Sequence, residues 1–236
     1  MCWQALFRTG WGGDARLVVV DDGSTDDTYQ IICECAKTKP LLVPLTKPNG
    51  GHGAALLFGY QYALDHGATF VFQTDSDGQT SASEFEGFWK VRHDYDMVIG
   101  QRTKRQDGAS RVFVTKVLKL VLRLCFGVWI ADANTPFRLM KAAALKECME
   151  LVPRGFNLSN VALSAIFAKK GLKVKYIPIT FKPRQGGKIF INFKNIFKIG
   201  LQALKDFRSI NKTINKTINK AIDASLASSP KGGTDG

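Results

Sequence analysis

Apolar and polar residues follow two different periods along the chain. Short runs rich in β-branched residues, such as Val18-Val19-Val20, are separated by longer segments in which apolar residues recur every three or four positions. This alternation is typical of βαβ units around a mostly parallel sheet. It predicts strands at 16–20, 41–45, 69–73, 97–99 and 173–178, and helices at 24–37, 54–65, 83–92, 112–126, 142–151, 158–169 and 192–207. Ser24 or Thr25 is the expected cap of the first helix.

The end of the chain has a different character. From Ser209 the sequence repeats Ile-Asn-Lys-Thr and then changes to Ser, Pro and Gly, which is a low-complexity composition. We therefore expect one domain over residues 1–208 and a disordered basic tail over 209–236.

Composition excludes several classes of protein. The chain has 236 residues, of which 45% are hydrophobic and 22% charged, so it is not a disordered, collagenous or coiled-coil sequence. Its five cysteines are odd in number and form no C-x-x-C pair, which indicates neither a disulfide framework nor a structural zinc site. No run of 18 apolar residues is present, and the start lacks the pattern of a signal peptide. We expect a cytoplasmic protein.

The positive charge is concentrated in two segments. Lysine and arginine total 33 against 20 acidic residues, a net charge of +13. Residues 101–123 contribute +6 and residues 182–236 contribute +8, so the rest of the chain carries −1. A nucleic-acid binder, a protein on an anionic membrane and a protein that grips a phosphorylated substrate all use such patches.

Acidic or glycine-rich turns follow successive predicted strands, at the edge where open α/β sheets bind ligands. Asp75 and Asp77 lie two residues apart, so one turn can direct both carboxylates at Mg²⁺ or Mn²⁺. Asp21 and Asp22 end the first strand, and Gly50 and Gly53 would let backbone approach a diphosphate. Each turn also has an ordinary structural interpretation, as a solvated Asp turn or a common αβ loop.

Taken together, the motifs are much more specific. In their order and spacing they resemble the family 2 glycosyltransferases, with a later part most similar to the branch that makes polyprenyl-phosphate sugars, such as dolichyl-phosphate mannosyltransferase. The segments that carry this resemblance are 18–26, 49–55, 73–79, 100–102, 132–138 and 177–187.

The resemblance implies a fold and a reaction. The fold is the glycosyltransferase A-type nucleotide-sugar-binding fold, and the reaction moves a sugar from a nucleotide-sugar donor to an acceptor, with Mg²⁺ or Mn²⁺ on Asp75 and Asp77. Asp22 would recognise the nucleotide base. The substrate-binding residues implied are Asp21, Asp22, Gly50, Gly53, Asp75, Arg102, Arg105 and Arg184, and the catalytic residues are Asp132 and Arg138.

Two departures from the family pattern bear on activity. Only 15 residues precede the strand at 16–20, so we expect that Met1 to Trp11 supplies the end of a helix and that the first strand of the fold is missing. Residues 156–163 hold no carboxylate to act as a base, which favours an already anionic phosphorylated acceptor, with Asp132 as the remaining candidate base. A catalytically inactive nucleotide-sugar-binding remnant and a basic nucleic-acid-binding protein are the alternatives.

Two predicted helices are both amphipathic and basic. In the helix at 112–126, apolar Val117, Leu120 and Leu124 recur at helical spacing beside Lys116 and Arg123, and the helix at 192–207 has a similar pattern. Either these faces pack on the sheet, or they lie peripherally on an anionic membrane surface near a lipid-linked phosphate.

Overall fold

The strands of the described residues form one sheet. The computed structural model describes residues 2–8, 15–102, 109–153, 156–182 and 193–227. Within them, the sheet order is β3-β2-β1-β4-β6-β5-β7. The strands are β1 Cys2–Arg8, β2 Ala15–Asp21, β3 Leu42–Thr46, β4 Phe70–Asp75, β5 Met97–Arg102, β6 Arg138–Lys141 and β7 Val174–Ile179.

Helices follow most of the strands and cover both faces of the sheet. They are α1 Thr28–Thr38, α2 His52–Asp65, α3 Phe85–Lys90, α4 Ala109–Phe126, α5 Ala142–Met149, α6 Ser159–Lys169 and α7 Phe193–Ala227, with a 3₁₀ turn at Ala82–Glu84 before α3. The predicted cap of the first helix is wrong, because α1 begins at Thr28 after Asp27. Ser24 instead binds Asp21 in the preceding turn.

The sheet is mixed. β2, β3, β4, β5 and β7 run in one direction, as the predicted α/β fold requires, whereas β1 and β6 run in the other. β6 was not predicted, since four residues that begin with an arginine give almost no strand signal. The two reversed strands lie on either side of β4, so parallel pairing is confined to β2 with β3 and β5 with β7.

The central position of the sheet corrects one expectation. Residues Cys2–Arg8 were expected to be the end of a helix, but they form β1, which pairs antiparallel with both β2 and β4. Without a strand there, β2 and β4 would each leave a row of buried N–H and C=O groups unpaired, which is costly. The N-terminal segment therefore fills the slot between them, with its direction reversed.

Side chains of the sheet alternate between two cores. In β4, Val71 faces the larger core, which α2, α4, α5, α6 and α7 complete, whereas Phe72 faces the smaller one. The smaller core is aromatic: Phe72 packs edge-to-face on Phe137 at 4.6 Å between ring centroids, and Phe88 packs on Phe137 at 5.0 Å. This period of two is what a sheet covered on both faces requires.

The predicted disordered tail is wrong for residues 209–227. Helix α7 continues to Ala227, and Ile210 and Ile214 are buried in the larger core with Ile218 packed beside them. The Ile-Asn-Lys-Thr repeat has a period of four, which places its isoleucines on one helix face.

Among the described residues, no helix combines the length and the apolar character needed to cross a membrane.

Candidate active site

The predicted site residues meet at one edge of the sheet. β2, β4 and β5 end there at Asp21, Asp75 and Arg102, and the reversed β6 begins there at Arg138. The register pairs Gln73 of β4 and Ile99 of β5 with Arg138, so the three strands end close together. The order of the strands thus brings motifs that are far apart in the sequence to a common edge.

Asp21 organises the turn that follows β2. Its carboxylate is buried and accepts hydrogen bonds from the Ser24 backbone N–H, the Ser24 hydroxyl and the Thr46 hydroxyl, the last at 3.1 Å. Burial by itself raises the pKa of Asp21, but these hydrogen bonds outweigh it, so the pKa lies below its ordinary value. Its substrate contact stays a prediction.

Asp22 joins this turn to the glycine-rich turn before α2. Its Oδ1 accepts from Lys47 Nζ at 2.6 Å and from the Gly50 N–H at 3.0 Å, and its Oδ2 accepts from the Gly51 N–H at 2.8 Å. Burial opposes the charged form, yet these donors hold the pKa of Asp22 below its ordinary value. The carboxylate therefore accepts hydrogen bonds from the glycine-rich turn, including the N–H of Gly50, which the sequence suggested for a diphosphate.

Gly53 is needed for close packing. A Cβ at this position would lie 2.1 Å from the backbone oxygen of Phe156 and 2.8 Å from backbone atoms of Asn157. The Gly53 carbonyl also accepts from the Ser159 hydroxyl at 3.2 Å. The glycine thus lets the first turn of α2 touch the segment before α6, and contact between Gly50 or Gly53 and a diphosphate stays a prediction.

The turn after β4 carries the candidate metal ligands. Asp75 is the last residue of β4, Gly78 in the turn has a φ of +70°, and the Gln79 N–H donates to Asp77 Oδ1 at 3.1 Å. In the part of the chain that the structure describes, no three His, Cys, Asp or Glu side chains are grouped as a metal site. Two carboxylates suit Mg²⁺ or Mn²⁺ that takes its remaining ligands from diphosphate and water.

Arg102 and Asp132 form a bidentate ion pair. Arg102 Nε donates to Asp132 Oδ2 and Nη2 donates to Oδ1, both at 2.8 Å, and both side chains are about nine-tenths buried. The guanidinium also lies over the ring of Phe181, 5.1 Å from its centroid. The sequence suggested these two residues separately, Arg102 for substrate binding and Asp132 as a base. The structure pairs them with each other.

Arg138 is fully buried. Its guanidinium donates to the carbonyls of Ala133 at 3.2 Å, Thr135 at 2.7 Å and Asn160 at 3.0 Å, and to the Ser164 hydroxyl at 3.3 Å. Burial lowers its pKa from the ordinary value of arginine. These contacts hold the loop at 132–137 against α6, so Arg138 stabilises the structure of the site. The catalytic role implied by the resemblance stays a prediction.

The remaining predicted residues, Arg105 and Arg184, lie outside the described residues. The segment that leads to Arg184 is anchored at the site edge, where Gln79 Nε2 donates to the Lys182 carbonyl at 3.0 Å and the Lys182 N–H donates to the Gln79 carbonyl at 2.8 Å. The end of β7 is thereby held against the turn that carries Asp75 and Asp77.

Lys47 and His52 are site residues that the sequence did not single out. Lys47 directly follows β3, at the same edge as the aspartates. This position after a strand is the feature of the sequence that could have identified it as a site residue. His52 begins α2, and burial lowers its pKa, as does the nearby charge of Arg138, against a smaller opposing effect of Asp22. His52 is thus close enough to both Arg138 and Asp22 to feel their charges.

Comparison with known proteins identifies the family. The model of Glycosyl transferase family 2 matches residues 2–149, more than half of the chain. The chain therefore belongs to glycosyl transferase family 2, as the motifs at the strand ends indicated, and it is a transferase of the glycosyltransferase class.

Several relatives are named for lipid-phosphate chemistry. The chain is 28% identical over 190 residues to the polyprenol monophosphomannose synthase of Mycolicibacterium smegmatis, covering 77% of this chain and 72% of that one. It is 23% identical over 210 residues to the UDP-N-acetylglucosamine–dolichyl-phosphate N-acetylglucosaminyltransferase of Methanococcus voltae, covering 78% of this chain and 83% of the relative. These matches agree with the branch that the later motifs suggested.

Solved structures support the fold. The glucosyl-3-phosphoglycerate synthase of Mycobacterium tuberculosis superimposes with a TM-score of 0.52 at 16% identity, over 82% of this chain and 68% of that one. At this level of identity the superposition bears on the fold alone. The superposition confirms the predicted α/β nucleotide-sugar-binding architecture.

Proposed function

We propose that this chain transfers a sugar from a nucleotide-sugar donor to a polyprenyl phosphate at a membrane surface, with Mg²⁺ or Mn²⁺ bound beside the donor diphosphate. The observation that carries the choice of acceptor is the buried Arg102–Asp132 pair. The names of the relatives in Mycolicibacterium smegmatis and Methanococcus voltae support the same chemistry.

The argument rests on what an acceptor needs from the enzyme. A hydroxyl nucleophile needs a base, whereas a phosphate monoester is already ionised at pH 7. Residues 156–163 contain no carboxylate. Protonation of Asp132 would remove the charge that its bidentate pair with Arg102 depends on. An acceptor that is already ionised needs neither a carboxylate in residues 156–163 nor Asp132 as a base.

The donor side has its own assignments. Asp75 and Asp77 would hold the cation, which when bound neutralises charge on the departing nucleoside diphosphate. Arg102 lies at the same edge, where its charge is balanced by Asp132. Arg138 keeps the loop at 132–137 in place through the carbonyls of Ala133 and Thr135.

The outer face of α4 supports a position on the membrane surface. Leu120 is 57% exposed and Leu124 is 76% exposed, so packing on the sheet does not account for them. Trp129, just beyond the helix, is 70% exposed, with the Arg123 guanidinium over its ring at 5.6 Å. Exposed apolar side chains beside basic ones are typical of an interfacial helix, and each basic residue adds about 1 kcal/mol on an anionic surface.

Liposome co-sedimentation tests the membrane part of the proposal. Binding should rise with the fraction of anionic lipid, fall at high salt, and be lost in Leu120→Gln/Leu124→Gln. Ile31→Gln is the matched control, because Ile31 is 61% exposed on α1. Binding that ignores lipid charge and salt, or an equal loss in the control, would remove this part of the proposal.

Nucleoside-diphosphate release tests the reaction. A panel of nucleotide sugars is incubated with Mn²⁺, with and without polyprenyl phosphate. We expect release from one donor that depends on the lipid phosphate. Nucleotide binding without release from any donor would favour the inactive remnant, and the absence of both would contradict the proposed donor site.

A further inference from the structure

Three loops interlock at the edge between β2 and α2, in a cluster that we call the donor-edge junction: residues 21–24, 47–51 and 156–157. Glycines make the contacts possible. A Cβ on Gly23, whose φ is +68°, would lie 2.6 Å from the Asn49 nitrogen, and one on Gly51, whose φ is +84°, would lie 2.9 Å from Asn157 Oδ1. Larger side chains would push the loops apart.

An ion pair lies inside this junction. Lys47 Nζ is 2.6 Å from Asp22 Oδ1 and 2.6 Å from the Pro48 carbonyl, and its side chain is 16% exposed. Asp22 is more deeply buried and also accepts from the Gly50 and Gly51 N–H groups. Lys47 is the cation paired with this carboxylate, and the two amides supply only partial positive charge.

The position of this charge matters for the donor. β1 separates β2 from β4, so the ends of β2 and β4 lie two strand spacings apart, or about 10 Å. This distance is close to the Debye length at physiological salt, which is about 8 Å. It is shorter than the Debye length at low salt. A bare Asp22 carboxylate would therefore repel a nucleoside diphosphate held beside Asp75 and Asp77.

We propose that Lys47 is a positioning residue of the donor site: it neutralises Asp22, whose carboxylate holds the N–H groups of Gly50 and Gly51, so that the edge between β2 and β4 accepts a nucleoside diphosphate. The inference rests on the proposed function, since it assumes that the diphosphate binds at this edge. Lys47 acts through Asp22 and needs no contact with the nucleotide.

A double-mutant cycle read by calorimetry tests the inference. The probe is a nucleoside diphosphate with Mn²⁺ at low salt. Lys47→Met should weaken binding about tenfold in the wild-type background, but less than about twofold in the Asp22→Asn background, where no charge is left to neutralise. Lys47→Arg, which keeps the charge, should bind within about threefold of the wild type. If Lys47→Met does not fold, the cycle is run with Lys47→Gln.

A matched control separates positioning from general stability. Lys141 pairs with Asp96 at 3.2 Å, at the opposite edge of the sheet. Lys141→Met should change stability but leave nucleotide binding as in the wild type. Wild-type affinity in Lys47→Met, or an equal loss in both backgrounds of the cycle, would overturn the inference. A wild-type protein that does not bind the probe would instead overturn the proposed function.

Discussion

Replacing Gly53 by alanine tests the packing that supports the site. The new Cβ would lie 2.1 Å from the Phe156 carbonyl oxygen, more than 1 Å inside an ordinary contact distance. The obstructing atoms belong to backbone, so no side-chain rotation can relieve the clash. Helix α2 and the segment before α6 would have to move apart, which would also strain the hydrogen bond from Ser159 to the Gly53 carbonyl.

The size of the effect follows from these contacts. Overpacking of this kind costs about 1–3 kcal/mol or more, and a strained hydrogen bond adds about 1 kcal/mol. Alanine recovers up to about 1 kcal/mol of helix propensity. We therefore expect Gly53→Ala to lower the free energy of unfolding by about 2–3 kcal/mol.

Urea denaturation measures this difference against a matched helical glycine. Gly87 is exposed in α3, and a Cβ there meets nothing within 4 Å. Gly87→Ala should leave stability unchanged or raise it by up to about 1 kcal/mol. Should Gly53→Ala unfold at the same urea concentration as Gly87→Ala, the close approach of α2 to Phe156 would be refuted.

Three further predictions follow from the site and the fold. Asp77→Ala should weaken Mn²⁺ binding at least about tenfold when nucleoside diphosphate is present, and calorimetry that gives equal affinity in both proteins would remove Asp77 from the metal site. Because the folded pKa values of Asp21 and Asp22 lie below their unfolded ones, both residues contribute stability that is present above about pH 4 and lost as the pH falls through the folded values. The free energy of unfolding should therefore fall less steeply with decreasing pH in Asp22→Asn than in the wild type. The same pH dependence in both proteins would count against the Asp22 contacts. Ile214→Ala should cost about 2–4 kcal/mol in urea denaturation, whereas a disordered tail would give no change.

The strand-end turns could be predicted because their signals are local. Val18-Val19-Val20 before Asp21, and a β-rich run before Asp75, mark parallel strands whose carboxyl ends share an edge. That argument required only chain order and the period of the hydrophobic pattern. The meeting of Asp21, Asp75 and Arg102 at one edge followed from it.

The reversed strands and the end of α7 escaped prediction for different reasons. β1 is a strand because the slot between β2 and β4 must be filled, a constraint that no local pattern expresses. β6 is too short for a period-two signal. In α7 the repeat suggested low complexity, although its period of four also matches a helix face that buries Ile210 and Ile214.

The partners of the charged residues depend on tertiary structure. Asp22 and Lys47 are 25 residues apart, and Arg102 and Asp132 are 30 apart, so neither pair has a sequence signature. The sequence suggested Asp22 as a base-recognition residue and Asp132 as a base, each taken alone. The structure adds that Asp22 pairs with Lys47 and Asp132 with Arg102, and the two suggested roles stay predictions.

Sugar transfer to two matched acceptors tests the central claim most directly. A polyprenyl phosphate and the polyprenol of the same chain length are offered in identical liposomes with the donor and Mn²⁺, and the glycosylated lipid is measured by mass spectrometry. The account predicts product with the phosphate and none with the alcohol, because Asp132 is held by Arg102 and residues 156–163 supply no carboxylate. Comparable product from the alcohol would contradict it.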